Sequence, residues 1–258
     1  MAKSQRFLEV NRASWNRIAG STKGRTALPN YGPLCPGEEE LGLLGDVSGK
    51  RIVELGCGDG KSLAYLHAHG SEELYGLDLA EEQVAGARAV ADELGYPAKL
   101  FCSPMEEDPG LPHDYFDIAL SLYALGWSVD LDASLARITS YLKPGGILVY
   151  SWEHPVYSCL KSRDKELYLA RSYSTVGPVE SLSWNGDPIV MHARKISTFI
   201  NATIGAGLVL DEVIEGDMRP KSEGSDYPRR WYSRDRATLM PTTLIVKAHK
   251  PVKATPKL

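Results

Sequence analysis

The chain has 258 residues, a formal net charge of −4 and a pI of about 5.9. This length suits one large domain, or one domain with a modest insertion. Broad nucleic-acid-binding surfaces are usually basic, so the acidic balance argues against a nucleic-acid partner. The four cysteines are dispersed without a C-x-x-C pair, which favours reduced thiols over a disulfide framework or a zinc site.

Targeting and membrane signals do not stand out. The first residues are polar, and no apolar run approaches the ~20 residues that cross a bilayer. We therefore expect a cytoplasmic protein with no membrane partner, while the oligomeric state stays open.

Hydrophobic periodicity predicts an N-terminal helix over residues 4–19, a proline-rich stretch, and then strands that alternate with helices. The predicted strands cover 51–55, 73–77, 98–102, 116–122 and 147–152, and the helices cover 61–69, 81–94 and 131–142. This rhythm indicates a parallel sheet with helices on both faces. Residues 155–190 are polar and are interpreted as an insertion over the site. A helix over 192–204 and strands over 208–214 and 242–248 close the fold.

Residues 52–60 read Ile-Val-Glu-Leu-Gly-Cys-Gly-Asp-Gly and are the most informative stretch. Gly56, Gly58 and Gly60 have no Cβ, so the loop can turn tightly and a ligand can approach its backbone. Strand, glycine loop and helix together are typical of nucleotide-binding α/β folds. A dinucleotide loop reads G-x-G-x-x-G; here the third glycine comes one residue early and Lys61 holds the later position.

Asp78 ends the next predicted strand. A carboxylate there can accept two hydrogen bonds from a ribose diol, although an acid at a strand end is also a common helix cap. Because the carboxyl ends of neighbouring parallel strands meet at one edge, the loop and Asp78 predict a ligand site at that edge.

Four motifs in order resemble class I S-adenosylmethionine-dependent methyltransferases. They are the stretch 53–60, Asp78 with Leu79, the strand start Phe116-Asp117, and the Lys-Pro-Gly-Gly turn at 143–146. The resemblance implies a Rossmann-like, seven-stranded, mostly parallel sheet whose last strand is antiparallel. It also implies S-adenosylmethionine as the methyl donor, with no metal. We expect an N-terminal helical cap at 1–45 and a methyltransferase domain at 46–258, with a lid at 155–190.

The resemblance also implies the site residues. Those expected at the cofactor are Glu54, Gly56, Cys57, Gly58, Gly60, Asp78, Leu79, Met105, Glu106 and Ser121. Those expected near the acceptor or closing over the cofactor are Trp15, Tyr31, Trp127, Tyr157 and His192. Similar enzymes often carry an acid near the end of the third strand that meets the adenine. Here Glu106 or the backbone of Met105 would have to serve.

His154 follows the fifth strand and is the candidate general base, because its reference pKa suits proton transfer near neutrality. The alternative is a histidine packed in the turn with Pro155. His154 favours O-methylation of a small molecule.

Three rival functions stay open: an NAD-dependent oxidoreductase, a tRNA or rRNA methyltransferase, and a non-catalytic S-adenosylmethionine-binding protein. The basic run at 229–236 is interpreted as a solvated loop, with a phosphate-, carboxylate- or RNA-binding role as the alternative.

Overall fold

The computed structural model describes residues 2–19, 29–163, 166–183, 186–216, 232 and 234–252. Its helices are α1 Ala2–Ile18, α2 Glu38–Leu41, α3 Lys61–Ala68, α4 Glu81–Leu94, α5 Leu131–Tyr141, α6 Ile196–Gly205 and α7 Arg234–Ala237. Its strands are β1 Arg51–Leu55, β2 Glu73–Asp78, β3 Lys99–Cys102, β4 Phe116–Ser121, β5 Leu142–Glu153, β6 Leu160–Arg163, β7 Glu166–Leu169, β8 Gly177–Leu182, β9 Pro188–Ala193, β10 Val209–Gly216 and β11 Thr243–His249.

Seven strands form one sheet in the order β10-β11-β5-β4-β1-β2-β3. The last strand, β11, runs antiparallel to both of its neighbours, and the other six strands share one direction. The predicted seven-stranded, mostly parallel sheet with an antiparallel last strand is therefore confirmed. The order reverses between β1 and β4, and ligands of open α/β sheets bind at the carboxyl ends of strands near such a reversal.

Each face of the sheet has its own hydrophobic core. Successive strand side chains point to opposite faces, so Ile52 packs on one side with Leu63 and Leu66 of α3, and Val53 packs on the other with Leu135 of α5. Because β1 is covered on both faces, it reads as an apolar run in the sequence, which is the pattern expected of a buried parallel strand.

The polar stretch after β5 folds as two antiparallel hairpins, β6–β7 and β8–β9, here called the insert hairpins. This region corrects one predicted element. The helix expected over 192–204 begins at Ile196, because residues 188–193 form β9 and pair with β8. Strand pairing in the folded chain overrides the local helical pattern there.

Helix α1 lies at the carboxyl edge of the sheet and contacts both β9 and the start of α4. Asn11 donates a 2.9 Å hydrogen bond to the Val190 carbonyl of β9 and accepts one of 2.8 Å from its N–H. Asn16 donates to the Glu81 carboxylate at the start of α4, 2.8 Å away. The helix thus lies where it can cover the end of the glycine loop.

Candidate active site

The glycine loop is joined to the end of β2 by backbone hydrogen bonds. The N–H groups of Gly56 and Cys57 donate to the Leu77 carbonyl at 2.7 and 3.0 Å. Gly56 has φ +77°, and a Cβ at this position would clash with the Cβ of Ala124 after β4. A residue with a side chain is therefore excluded twice, by backbone strain and by the close approach of the β4 loop. This packing brings the carboxyl ends of β1, β2 and β4 together at one edge of the sheet.

Asp78 holds the loop as well as facing the edge. One carboxylate oxygen accepts the Gly58 N–H at 3.0 Å and the other accepts the Ala80 N–H at 2.9 Å. Burial raises the pKa of Asp78 above its usual value, while these N–H groups lower it. Each carboxylate oxygen has a second lone pair for a ligand. The two interpretations of Asp78 made from the sequence, a helix cap and a ligand-binding carboxylate, are thus compatible.

Glu54 is the second carboxyl at this edge and is 3% exposed. Burial raises its pKa to about 8, opposed by a hydrogen bond from Ser62 and reinforced by the negative charges of Asp78 and Asp59. Among the described residues, no hydrogen-bond partner lies within reach of its Oε2 atom. A buried carboxyl oxygen without a partner is costly, so this geometry favours a cationic or hydrogen-bonding ligand group beside β1.

The remaining predicted cofactor residues take several roles. The side chains of Leu79 and Met105 are half-buried at the edge, and the thiol of Cys57 is buried with its pKa raised, so only the backbone of Cys57 suits a ligand contact. The Glu106 carboxylate accepts hydrogen bonds from the Ser128 hydroxyl at 2.8 Å and the Val129 N–H at 2.7 Å. Glu106 thus fixes the turn before α5, and its adenine contact stays a prediction.

Ser121 and Tyr31 are fully buried, which corrects their predicted ligand contacts. The Ser121 hydroxyl donates to the Leu55 carbonyl at 3.0 Å and ties β4 to β1. The Tyr31 hydroxyl donates to the Glu38 carboxylate, and burial together with this negative neighbour raises its pKa well above its usual value. Neither side chain presents surface to a ligand in this conformation.

Two of the predicted aromatic residues do meet. The rings of Trp15 on α1 and Trp127 after β4 are 5.3 Å apart, edge to face, and Trp127 meets Trp152 of β5 at 5.5 Å in the same way. Edge-to-face pairs add roughly 0.5–1.5 kcal/mol beyond their buried area. These three rings form a continuous aromatic wall between α1 and the end of β5.

His154 does not have the geometry of a general base, and this corrects the prediction. The ring is fully buried, its Nε2 lies 2.8 Å from the Glu215 carboxylate, and its Nδ1 accepts the Val156 N–H at 3.2 Å. Both ring nitrogens are therefore engaged. Burial lowers the pKa of His154, and Glu215 raises it. The histidine fixes the turn that leads into the insert, which is the alternative left open by the sequence.

A cavity of about 690 Å³ lies between the insert hairpins and the end of β5, and is called the insert cavity. Tyr157 and His192, both predicted to line an acceptor pocket, are among its lining residues. Burial lowers the pKa of His192 to about 4, with Arg194 adding to the effect, so the imidazole is neutral at pH 7. The carboxyl ends of β5 and β1 are separated only by β4, so these two strand ends lie about 10 Å apart.

Glu153 is the residue that sequence reasoning missed. It ends β5, lines the insert cavity, and has a pKa raised to about 7 by burial, against hydrogen bonding to Tyr232 and the charges of Arg236 and Arg171. A carboxyl with a pKa near neutrality in a cavity is a candidate acid or base. One signal was available: like Asp78, Glu153 is an acid at the carboxyl end of a parallel strand.

A pair of tyrosines connects Glu153 to the end of β4. The Tyr123 hydroxyl donates to the Tyr232 hydroxyl at 2.7 Å, and Tyr232 hydrogen-bonds Glu153. Tyr123 has φ +55°, an uncommon conformation for a residue with a side chain, and its N–H donates to Ser151 at 3.0 Å. Such strain is frequent at functional sites. The hydrogen-bonded path therefore runs from the strand reversal to the cavity.

The basic run at 229–236 was interpreted as a solvated loop, and Arg236 corrects that interpretation. Its side chain is 6% exposed and donates to the Leu160 carbonyl at 2.8 Å. The rest of the prediction for this run, at 229–231 and at Ser233, lies outside the described residues.

Known proteins share this fold. A solved S-adenosylmethionine-dependent methyltransferase from Mesorhizobium loti is 29% identical, with a TM-score of 0.67 over 81% of this chain and 94% of its own. A family profile described as a methyltransferase domain matches residues 53–150, from β1 into β5. These matches identify an S-adenosylmethionine-dependent methyltransferase domain with the class I fold.

Two curated relatives of this methyltransferase match to different extents. An uncharacterised protein of Haemophilus influenzae is 27% identical over 81% of this chain and 85% of its own length. The ubiquinone biosynthesis O-methyltransferase of Bradyrhizobium diazoefficiens is 30% identical, but the match covers only 44% of each protein. The second match therefore leaves more than half of each protein without a counterpart.

Within the described part of the chain, no helix is both long and apolar enough to cross a membrane. The same residues contain no group of three or more histidine, cysteine, aspartate or glutamate side chains arranged to hold a metal ion.

Proposed function

We propose that the protein transfers the methyl group of S-adenosylmethionine to an oxygen atom of a small molecule bound in the insert cavity. The observation that carries this proposal is Glu153, a half-buried carboxyl that lines the cavity with a pKa of about 7. Loss of a proton makes an oxygen acceptor nucleophilic, and a carboxyl with this pKa suits that task near neutrality. The Bradyrhizobium relative, an O-methyltransferase by name, supports oxygen as the acceptor atom.

The residues at the glycine loop fit S-adenosylmethionine. The ligand carries an amino group that suits the buried Glu54 oxygen, a ribose diol that suits Asp78, and a backbone that can lie against Gly56 and Gly58. Bound there, S-adenosylmethionine supplies an activated methyl group on a positively charged sulfur. The wall of Trp15, Trp127 and Trp152 would keep water from the reacting atoms.

Glu153 acts as the general base in this proposal. With S-adenosylmethionine bound, Glu153 would accept the proton of the acceptor hydroxyl as that oxygen takes the methyl group, and S-adenosylhomocysteine would be the leaving product. Arg171 and Arg236 favour the ionised carboxylate, which keeps part of the Glu153 population available as a base.

Calorimetry with S-adenosylhomocysteine and with NADH tests the cofactor. We expect S-adenosylhomocysteine to bind and NADH not to bind. Binding of NADH without binding of S-adenosylhomocysteine would favour an NAD-dependent oxidoreductase. Transfer of labelled methyl groups to a panel of hydroxylated small molecules tests the reaction. Intact S-adenosylhomocysteine binding without turnover on that panel would favour a non-catalytic binding protein, and salt-sensitive binding to tRNA would favour an RNA methyltransferase.

The boundaries of the predicted cap at 1–45, of the domain at 46–258 and of the lid at 155–190 remain predictions, as does action in the cytoplasm. The insert hairpins support a lid, because they form one wall of the cavity.

A further inference from the structure

The lining of the insert cavity has a marked charge imbalance. Four of its described lining residues are cationic, Lys161, Arg171, Arg194 and Arg236, and one is acidic, Glu153. The acid is itself a weak one, with a pKa near 7. The chain as a whole is acidic, with a net charge of −4, so this concentration of positive charge is local to the cavity.

The four cations do not have equal roles. Arg194 donates a 2.8 Å hydrogen bond to the Gly126 carbonyl and another to the Ser128 carbonyl, so its guanidinium joins β9 to the turn before α5. Lys161 is exposed. Arg171 is half-buried and Arg236 is buried. Both act electrostatically on Glu153, which places both within reach of the cavity end of β5.

Both guanidiniums are held in fixed positions by the insert. Arg171 donates from Nη2 to the Ser158 hydroxyl at 2.8 Å, and that hydroxyl donates in turn to the Pro155 carbonyl at 2.8 Å. Arg236 lies 4.6 Å over the Tyr157 ring and is 6% exposed. Guanidinium groups that are fixed in advance lose little side-chain freedom when they bind, and their planar fork matches carboxylate and phosphate oxygens.

We propose that the methyl acceptor carries an anionic group, a carboxylate or a phosphate, which Arg171 and Arg236 bind in the insert cavity. The acceptor hydroxyl then lies on the Glu153 side, nearer the carboxyl end of β4. This rests on the proposed function, since it names the substrate class of the same site. A cationic donor at the glycine loop and an anionic acceptor in the insert cavity would also attract one another.

Calorimetry on the full chain saturated with S-adenosylhomocysteine tests the anion subsite directly. The probes are benzoate, phenyl phosphate and the neutral isostere benzamide. We expect at least one anion to bind at least tenfold more tightly than benzamide, and the better anion distinguishes a carboxylate from a phosphate acceptor. Equal binding of all three probes, or binding of none, would overturn the inference.

A pair of variants separates recognition from folding. Arg171→Gln should weaken anion binding at least tenfold while S-adenosylhomocysteine binding is retained. Arg163→Gln is the matched control, since Arg163 lies in the nearby strand β6, over the Tyr168 ring and outside the cavity lining. Equal losses in both variants would mean that anion binding responds only to the net positive charge of this region. No loss in Arg171→Gln would refute the role of Arg171.

The methylation panel keeps the two proposals distinguishable. Hydroxylated carboxylates are assayed beside their methyl esters, for example 4-hydroxyphenylacetate and its ester. Methylation of esters as fast as of free acids, with anion binding absent, would refute the anionic acceptor and leave methyl transfer standing. Anion binding with no methyl transfer to any compound would leave the subsite and refute the proposed function.

Discussion

The two ends of the proposed site are built from opposite charges. At the glycine loop the carboxyls of Glu54 and Asp78 are buried or half-buried and have raised pKa values, and Lys61 pairs with Asp59 at 3.2 Å. In the insert cavity four of the five charged residues in the described lining are cationic. A sulfonium donor suits the first region and an anionic acceptor suits the second. In this proposal, one sheet edge would position a cationic donor and an anionic acceptor by charge.

The two regions also differ in what holds them. The glycine loop is fixed by its own backbone N–H groups, which donate to the Leu77 carbonyl and the Asp78 carboxylate at the end of β2. The insert cavity depends on long side chains, such as Arg236, that reach across the fold. The loop should therefore be intolerant of small backbone changes, and the cavity should respond to changes of charge.

The largest expected effect is from Glu153→Gln, which removes the proposed base from the acceptor side. We expect kcat to fall roughly 100-fold or more and the rise of kcat/KM with pH through about 7 to disappear, since the carboxyl must lose its proton to act. Binding of S-adenosylhomocysteine should be unchanged by calorimetry. His154→Gln is the comparison, because its imidazole is buried and engaged on both nitrogens. If the histidine variant loses the pH dependence and the glutamate variant keeps it, the assignment is wrong.

Substitution of Gly56 by alanine should have the next largest effect. Gly56→Ala combines a positive φ with a clash against Ala124, so we expect S-adenosylhomocysteine affinity to fall at least tenfold and stability by about 2–3 kcal/mol. Gly95→Ala has φ +71° and open space around it, so it isolates backbone strain at about 1 kcal/mol. Chemical denaturation and calorimetry measure both variants. Equal behaviour would show that close packing of the β4 loop is unimportant.

A smaller effect is expected when the affinity for the cofactor product is measured as a function of pH. The pKa of Glu54 is raised to about 8 in the free protein, and a cationic amino group favours the ionised carboxylate. Affinity for S-adenosylhomocysteine should therefore rise about tenfold between pH 6.5 and 8, as proton loss from Glu54 becomes less costly. Glu54→Gln should flatten this rise in calorimetric titrations. An unchanged slope in the variant would assign the proton to another group.

The smallest effect is expected where α1 meets the site. Trp15→Leu removes one edge-to-face contact with Trp127, so S-adenosylhomocysteine binding should weaken only about three- to tenfold, in line with roughly 1 kcal/mol for such a pair. Trp127→Leu removes contacts with both Trp15 and Trp152 and should weaken binding more. The opposite order would place the cofactor against α1 rather than against the turn after β4.

The sheet and the glycine loop were largely predictable because their signals are local. A buried parallel strand reads as a short apolar run, and a tight turn beside a ligand requires glycine, so β1, Gly56 and Asp78 could be placed before any contact was known. Helix α4 with its terminal Gly95 is a further case, since both its stripe and its end are coded within 15 residues.

The acceptor side was not predictable in the same way. The role of His154 depends on Glu215, 61 residues later in the chain, and that of Glu153 on Tyr232 and Arg236 near its end. The position of His192 in a strand depends on pairing with β8. No pattern within a short window contains these partners.

The amino-acid sequence by itself therefore determined the strand, the glycine loop, the helix and the acid of the neighbouring strand, which form the proposed cofactor site. Backbone conformation and hydrophobic period are local properties, so a short window of sequence contains them. Only the tertiary structure decided which carboxyl could take a proton and which arginines line the cavity. A pKa and a charge balance depend on burial and on distant neighbours, and both arise only when the chain folds.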